Sequence, residues 1–412
     1  MNLKSEYSAI VVGAGPAGST AAKVLAQGGV DVLLIEKQRE VGKDIFCAEG
    51  ISTNTLNLIK KIFEIDETQK FVATNVDTIR IISPELDYFE VYRNGIGVVL
   101  ERKIFDRTLA EKAAAKGAVL SVSTKFLTAK RVGGKVEVDL VRDGRREIVR
   151  TPILIGADGP ASAVAASMGL NMEVGNENIH KCAQFLIYDR AIGSNRMDFL
   201  FSKKYSPTGY AWTFPKGNGL ANFGVGILSE RKEDPMQYLE QLLKDFYPDA
   251  RVIGWLKGVV PTGGNLKRIY ADNLLVAGDA ARLADPVTGG GIAAAIISGR
   301  LAGEIAFEAL DRGDFTEKFL KKYEKKVWQE LGIDYKISLI LREYLKNYTD
   351  ERIIKLYRVL KHLFGGKNLQ SIKLTDLFIS SIKNSKELAG LLLGSGGDAI
   401  FNSIRKIIFT GQ

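Results

Sequence analysis

The chain has 412 residues, a net charge of +9 and two cysteines, Cys47 and Cys182, without paired spacing. That length implies two or three globular units, and so few cysteines suit a reducing, cytoplasmic setting. No signal-like segment precedes the first apolar run, and the longest uninterrupted candidates, residues 291–298 and 388–393, fall well short of the ~18 residues that cross a bilayer, so any membrane contact is expected to be peripheral.

Residues 7–12 form an apolar run followed by Gly13-Ala14-Gly15-Pro16-Ala17-Gly18 and a helix-like stretch over 19–27. This is the strand, tight turn and helix of a dinucleotide site. Gly13 permits the turn, Gly15 lets the backbone approach a pyrophosphate, and Gly18 allows close helix packing. A second apolar run, 30–35, ends in Glu36, spaced to accept hydrogen bonds from an adenosine ribose. Just beyond lies Asp44-Ile45-Phe46-Cys47-Ala48-Glu49-Gly50-Ile51-Ser52, which puts a cysteine where a flavin ring can lie.

Further along, residues 103–116 read as a helix, 118–122 as a strand, and 135–141 with 146–151 as a hairpin around Asp143-Gly144. A short buried strand, 153–155, delivers Gly156-Ala157-Asp158-Gly159 at its carboxyl end, where open α/β sheets bind ligands. Residues 180–228 alternate aromatic, apolar and polar positions, predicting an antiparallel sheet. Within it Tyr210, Trp212 and Phe214 share one strand face suited to a polyisoprenoid chain or to a sheet core. Lys216 is expected to face solvent or a lipid phosphate. A core strand over 273–277 leads through Gly278-Asp279 to Gly289-Gly290-Gly291-Ile292. There Asp279 suits the ribityl hydroxyls of a flavin, and the following helix start suits negative charge on its N1–C2 edge. Helical periodicity dominates from Gly291 onward. Residues 316–412 carry 18 Lys and Arg against 10 Asp and Glu. Without a nucleic-acid-binding signature beside them, they read as a solvated face, a membrane-facing surface or a dock for an acidic redox partner.

The opening glycine motif with Glu36, the pair Glu101-Arg102, the stretch from Gly156 to Gly159 and the Gly278-Asp279 segment together resemble FAD-dependent oxidoreductases built like the aromatic hydroxylases. More narrowly, Cys47-Ala48-Glu49-Gly50-Ile51-Ser52 and Pro207-Thr208-Gly209-Tyr210-Ala211-Trp212-Thr213-Phe214-Pro215-Lys216-Gly217 resemble the geranylgeranyl reductase family, and within it the forms acting on digeranylgeranyl glycerophospholipids. The resemblance extends to about residue 310. It implies an α/β fold with a discontinuous Rossmann-type FAD-binding domain (1–60, 100–165 and 265–312). An antiparallel-sheet substrate domain (61–99 and 166–264) and a helical carboxyl region (313–412) complete it.

The same resemblance places Ala17 and Glu36 at the adenosine half of FAD, with Arg102 and the backbone near Phe126 completing the adenine side. Cys47, Ala48 and Gly50 lie along the flavin, Asp279, Gly290, Gly291 and Ile292 beside its ribityl chain and ring, and Asp158 also near the cofactor. Tyr210, Trp212 and Phe214 wall the substrate cavity. The implied reaction is saturation of isoprenoid C=C bonds, with Cys47 either a proton donor or a packing residue beside the ring, and Glu49 structural. A prenylated lipid or quinone is the expected substrate, and NADPH or ferredoxin the electron donor. Two other readings share the fold: a flavin monooxygenase or halogenase, and an electron-transfer flavoprotein acting on a quinone. Two cysteines cannot supply the four ligands of an iron–sulfur cluster, so the last would be flavin-only.

Overall fold

The computed structural model describes residues 2–43, 45–264, 266–346 and 349–365. Strands β1 (Ala9–Val12) and β2 (Val32–Ile35) are buried at every position, as central parallel strands must be, and α1 (Pro16–Gln27) crosses between them with Pro16 in its first turn. Next come β3 (Gly50–Ser52), α2 (Thr53–Phe63), the long pair β4 (Val72–Ile82) and β5 (Tyr88–Leu100), α3 (Arg102–Ala115) and β6 (Val119–Ser121). Strands β7 (Thr124–Val132), β8 (Lys135–Arg142) and β9 (Arg145–Thr151) form a separate antiparallel sheet. Its second turn is Asp143-Gly144, with φ of 49° and 79°, the left-handed pair that a two-residue hairpin of matching twist requires.

After β10 (Ile153–Gly156) and α4 (Ala163–Ser167) the chain forms β11 (Ile179–Tyr188), β12 (Arg196–Leu200), β13 (Ala211–Gly217), β14 (Leu220–Leu228), α5 (Pro235–Phe246) and β15 (Arg251–Pro261). It returns through β16 (Tyr270–Ala271) and β17 (Leu274–Val276) to the helices α6 (Ile292–Arg312), α7 (Glu317–Lys346) and α8 (Asp350–Phe364). Of the basic carboxyl stretch, residues 366–412 lie outside the described part.

The first sheet has six strands in the order β16-β17-β10-β1-β2-β6, parallel except for the β16–β17 edge pair. The second has eight, β15-β11-β14-β13-β12-β4-β5-β3. It is not wholly antiparallel as the alternation suggested, because β12 runs parallel to β4, pairing Arg196 with Thr78 through Leu200 with Ile82. In–out alternation has the same period in either direction, so it carries no sign of strand polarity. The short β3 belongs to this second sheet through its pairing with β5, which puts the Cys47 segment where the two sheets meet.

The first sheet is covered by α1 and α6, which touch at backbone distance. A Cβ on Gly299 would lie 2.2 Å from the carbonyl oxygen of Ala17. Gly299→Ala is therefore expected to cost about 1–3 kcal/mol through overpacking, seen as a lower denaturant midpoint at unchanged slope.

Candidate active site

At the carboxyl ends of β1, β10 and β17 the glycine turn is built by contact. A Cβ on Gly13 (φ 100°) would strike the Ala157 carbonyl oxygen at 2.3 Å, and one on Gly18 would strike the Gly13 carbonyl oxygen at 1.8 Å. Gly15 faces the other way, with no atom within 4 Å of its Cβ position, and it borders a cavity of about 700 Å³. Glu36 sits behind the turn, accepting from the Ala14 N–H at 3.1 Å and the Gln38 N–H at 2.9 Å.

The cavity wall continues from Gly15 and Ala17 along Cys47, Ala48 and Gly50, past Asp279 to Gly290, Gly291 and Ile292, and ends among Tyr210, Trp212 and Phe214. Two helix starts, Gly15 of α1 and Gly291 of α6, meet it, and neither is capped by a side chain among the described residues. Uncapped N–H groups on a cavity wall are anion sites, the first suited to a pyrophosphate and the second to the electron-rich edge of a reduced flavin. Asp279 is also on the wall. Burial pushes its carboxyl above the usual carboxylate range, and the nearby charge of Arg102 opposes that rise.

Cys47 is half-buried on this wall. Its Sγ accepts from the Glu49 N–H at 3.2 Å, and burial raises the thiol above its ordinary pKa against the pull of Arg102. Arg102 lies against this thiol and donates to both oxygens of Asp106 at 2.7 and 2.9 Å. The reason is local. Arg102 opens α3 and Asp106 lies one turn on, so the ion pair holds the guanidinium at the Cys47 end of the cavity.

Among the described residues the wall does not include Gly13, Gly18, Glu36, Phe126 or Asp158. Phe126 packs its ring in the core of the first sheet. Asp158 accepts from Ser162 Oγ at 2.7 Å and from the Val164 N–H at 3.1 Å, so its carboxylate is engaged in holding the start of α4.

Lys216 faces neither solvent nor lipid. Its side chain is 8% exposed, paired with Glu49 and, at 2.7 Å, with Glu101, and it donates to the Leu100 carbonyl at 3.2 Å. Glu49 is held from three sides: it accepts from the Arg102 N–H at 2.9 Å, from Asn222 Nδ2 at 2.7 Å and from Lys216. Two carboxylates compensate the ammonium, which is what lets it leave water.

The aromatic wall is a contact network. Tyr210 immediately precedes β13; its ring lies 5.8 Å from Trp212 and 5.6 Å from Phe199, which lies 5.2 Å from Phe214. Trp212 fits because β14 carries glycine opposite it: a Cβ on Gly224 would lie 2.3 Å from the indole. Gln184 joins the wall to the thiol segment, accepting from Trp212 Nε1 at 3.1 Å and donating to the Cys47 carbonyl at 3.2 Å.

Sequence reasoning missed Gln184, and on the same strand His180 and Cys182, of which the last two line the cavity. Their i, i+2, i+4 spacing on β11 is the signal that puts them on one face with the aromatic wall. His180 contacts Thr262 Oγ1 at 2.8 Å and the Thr208 carbonyl at 3.2 Å; a carbonyl only accepts, so Nε2 is the donor there. Burial lowers its pKa to about 4, which keeps the ring neutral at pH 7.

The fold and this cavity define a FAD-dependent oxidoreductase of the aromatic-hydroxylase type. Residues 6–195 match the family model of a FAD binding domain, and residues 178–260 that of a geranylgeranyl reductase catalytic domain. The chain is 38% identical to the digeranylgeranylglycerophospholipid reductase of Methanosarcina mazei, over 94% of this chain and 95% of that one. It is 36% identical to that of Methanocella arvoryzae, over 95% of this chain and all of the relative. Among solved structures, a geranylgeranyl bacteriochlorophyll reductase-like protein of Thermoplasma acidophilum superposes with a TM-score of 0.86 at 30% identity, covering 94% of this chain and 99% of its own. The p-nitrophenol 4-monooxygenase of Pseudomonas putida, with a TM-score of 0.73, 16% identity and coverage of 92% and 98%, shares the fold alone. The chain belongs to the geranylgeranyl reductase family.

Proposed function

We propose that this protein saturates the isoprenoid C=C bonds of a geranylgeranyl glycerophospholipid. The observation that carries the reading is the single cavity that joins the glycine turn and α6 start to the Cys47 thiol and the aromatic face of β13. Reduced FAD, when bound, supplies a hydride to one alkene carbon. The residues of this chain do the rest. Gly15 and Ala17 at the start of α1 bind the cofactor's pyrophosphate half, with Glu36 behind them toward the ribose, and Asp279 with Gly290, Gly291 and Ile292 holds the ribityl and ring end.

An isolated alkene has no carbonyl to spread developing charge, so close positioning, dryness and a proton source decide the rate. Tyr210, Trp212 and Phe214 supply a dry, apolar wall that positions the chain. Cys47, kept as the neutral thiol by burial, holds the proton for the second alkene carbon. The same reading groups residues 1–60, 100–165 and 265–312 around the cofactor, 61–99 and 166–264 around the substrate, and 313–412 as the helical carboxyl region. NADPH and ferredoxin are the two donors to compare as sources of electrons.

The test is anaerobic incubation of dithionite-reduced protein with geranylgeranyl lipids and prenyl quinones, reading product mass. The expected gain is ~2 mass units per saturated bond, the hydride and proton of this reaction. Product formation that requires oxygen would identify a monooxygenase or halogenase instead. Quinone reduction with no prenyl saturation would identify an electron-transfer protein.

A further inference from the structure

Strand β15 ends the eight-stranded sheet and, among the described residues, is hydrogen-bonded on one side, to β11. It is an unusual edge. Val252, Ile253, Trp255, Leu256 and Val259 are all exposed, Trp255 to 63%. Long apolar edges are normally blunted or covered, so an exposed one marks a contact surface.

The same strand walls the cavity. Its register sets Val260 opposite His180, Gly258 opposite Cys182 and Leu256 opposite Gln184, so all three face the cavity side of the sheet. Val260 lines the cavity, and the ring of Phe46, also on the wall, lies on Gly258, where a Cβ would come within 2.4 Å of it. Leu256, one step further along the same face, is at the surface. An apolar track therefore runs from the reaction cavity through Val260 and Phe46 to Leu256 at the edge, where Val252, Trp255 and Val259 continue the apolar surface on the other face of the strand.

We propose that β15 docks the protein on a lipid surface, and that the track past Phe46 passes the isoprenoid chain between bilayer and cavity. This rests on the lipid substrate proposed above, because a substrate resident in a bilayer has to be met there. The side chains fit that occupant. An exposed indole on an apolar edge strand that also carries Arg251 is the combination that settles among lipid headgroups, ring in the interface and cation at a phosphate, while Lys257 beside the indole is held by Asp234 at 2.6 Å. A second copy fits less well, since antiparallel pairing centred on Gly254 would set Arg251 opposite Lys257.

The experiment compares the wild type with an Ile253→Lys, Trp255→Glu double variant whose FAD absorbance confirms folding. Substrate-free vesicles of phosphatidylglycerol and phosphatidylcholine in equal parts are sedimented with each. The variant is expected to bind about tenfold more weakly or worse, since two large apolar side chains no longer enter lipid. It should turn over detergent-dispersed geranylgeranyl lipid at the wild-type rate and lose activity on the same lipid in vesicles. Equal vesicle binding by the two proteins, or none by either, overturns the proposal. So does a wild-type dimer that becomes monomeric in the variant without any vesicle binding, which would make a second copy the occupant. If neither protein reduces dispersed lipid, the substrate reading fails, while vesicle binding still decides the docking surface.

Discussion

Replacing Cys47 by alanine is expected to leave FAD bound and to lower turnover by about 10²–10⁴-fold, the range lost with a positioned proton donor. The residue suits the role because the cavity holds its thiol protonated. Burial raises its pKa, and Arg102 limits the rise so that the proton can still be released. The sign gives a second readout. A donor works only while protonated, so the wild-type rate should hold at neutral pH and fall as pH rises through the raised thiol pKa. That alkaline limb should vanish in Cys47→Ala. Anaerobic single-turnover rates across pH, with flavin absorbance as the binding control, measure both. A near-normal rate in the variant would reduce Cys47 to a packing residue.

Glu49→Ala is expected to destabilise the protein by about 3–5 kcal/mol, the usual cost of removing one partner from a buried ion pair. The carboxylate accepts from Lys216, Asn222 and the Arg102 backbone, bringing β13, β14 and the start of α3 to one point. Without it Lys216 keeps the Leu100 carbonyl and, as its counter-charge, Glu101, whose side chain is 42% exposed. The loss should also reach the chemistry, because the Glu49 N–H holds the Cys47 sulfur. Chemical denaturation with FAD titration measures both effects. Glu49→Gln, which keeps the shape and some of the hydrogen bonds, should fall between wild type and alanine. Wild-type stability in Glu49→Ala would show that the pair contributes nothing.

The nucleotide half of the site was legible because its requirements are local. A turn that admits no Cβ at Gly13 or Gly18, buried apolar strands and an acidic residue at a fixed distance all fall within 36 residues. The aromatic wall was legible for a similar reason, since alternation along one strand reports a shared face. What escaped depends on pairs distant in sequence. Lys216 looked like a surface lysine because its partners Glu49 and Glu101 lie far off in sequence, just before β3 and α3. Arg102 pairs locally with Asp106, but its contact with the Cys47 thiol joins segments far apart in the chain. The parallel β4–β12 pair left no trace in a pattern that is blind to direction.

The strand order also has a consequence for biosynthesis. The central sheet begins with β1 and β2 within the first 35 residues, but its β17 neighbour and the covering helix α6 are supplied only by residues 274–312. A nascent chain emerging from the ribosome amino end first therefore displays a nucleotide turn whose sheet is missing an edge and whose α1 has no partner helix. Between these parts the chain inserts the whole eight-stranded sheet. The cavity at the glycine turn is thus completed late, only after the eight-stranded sheet has been synthesised.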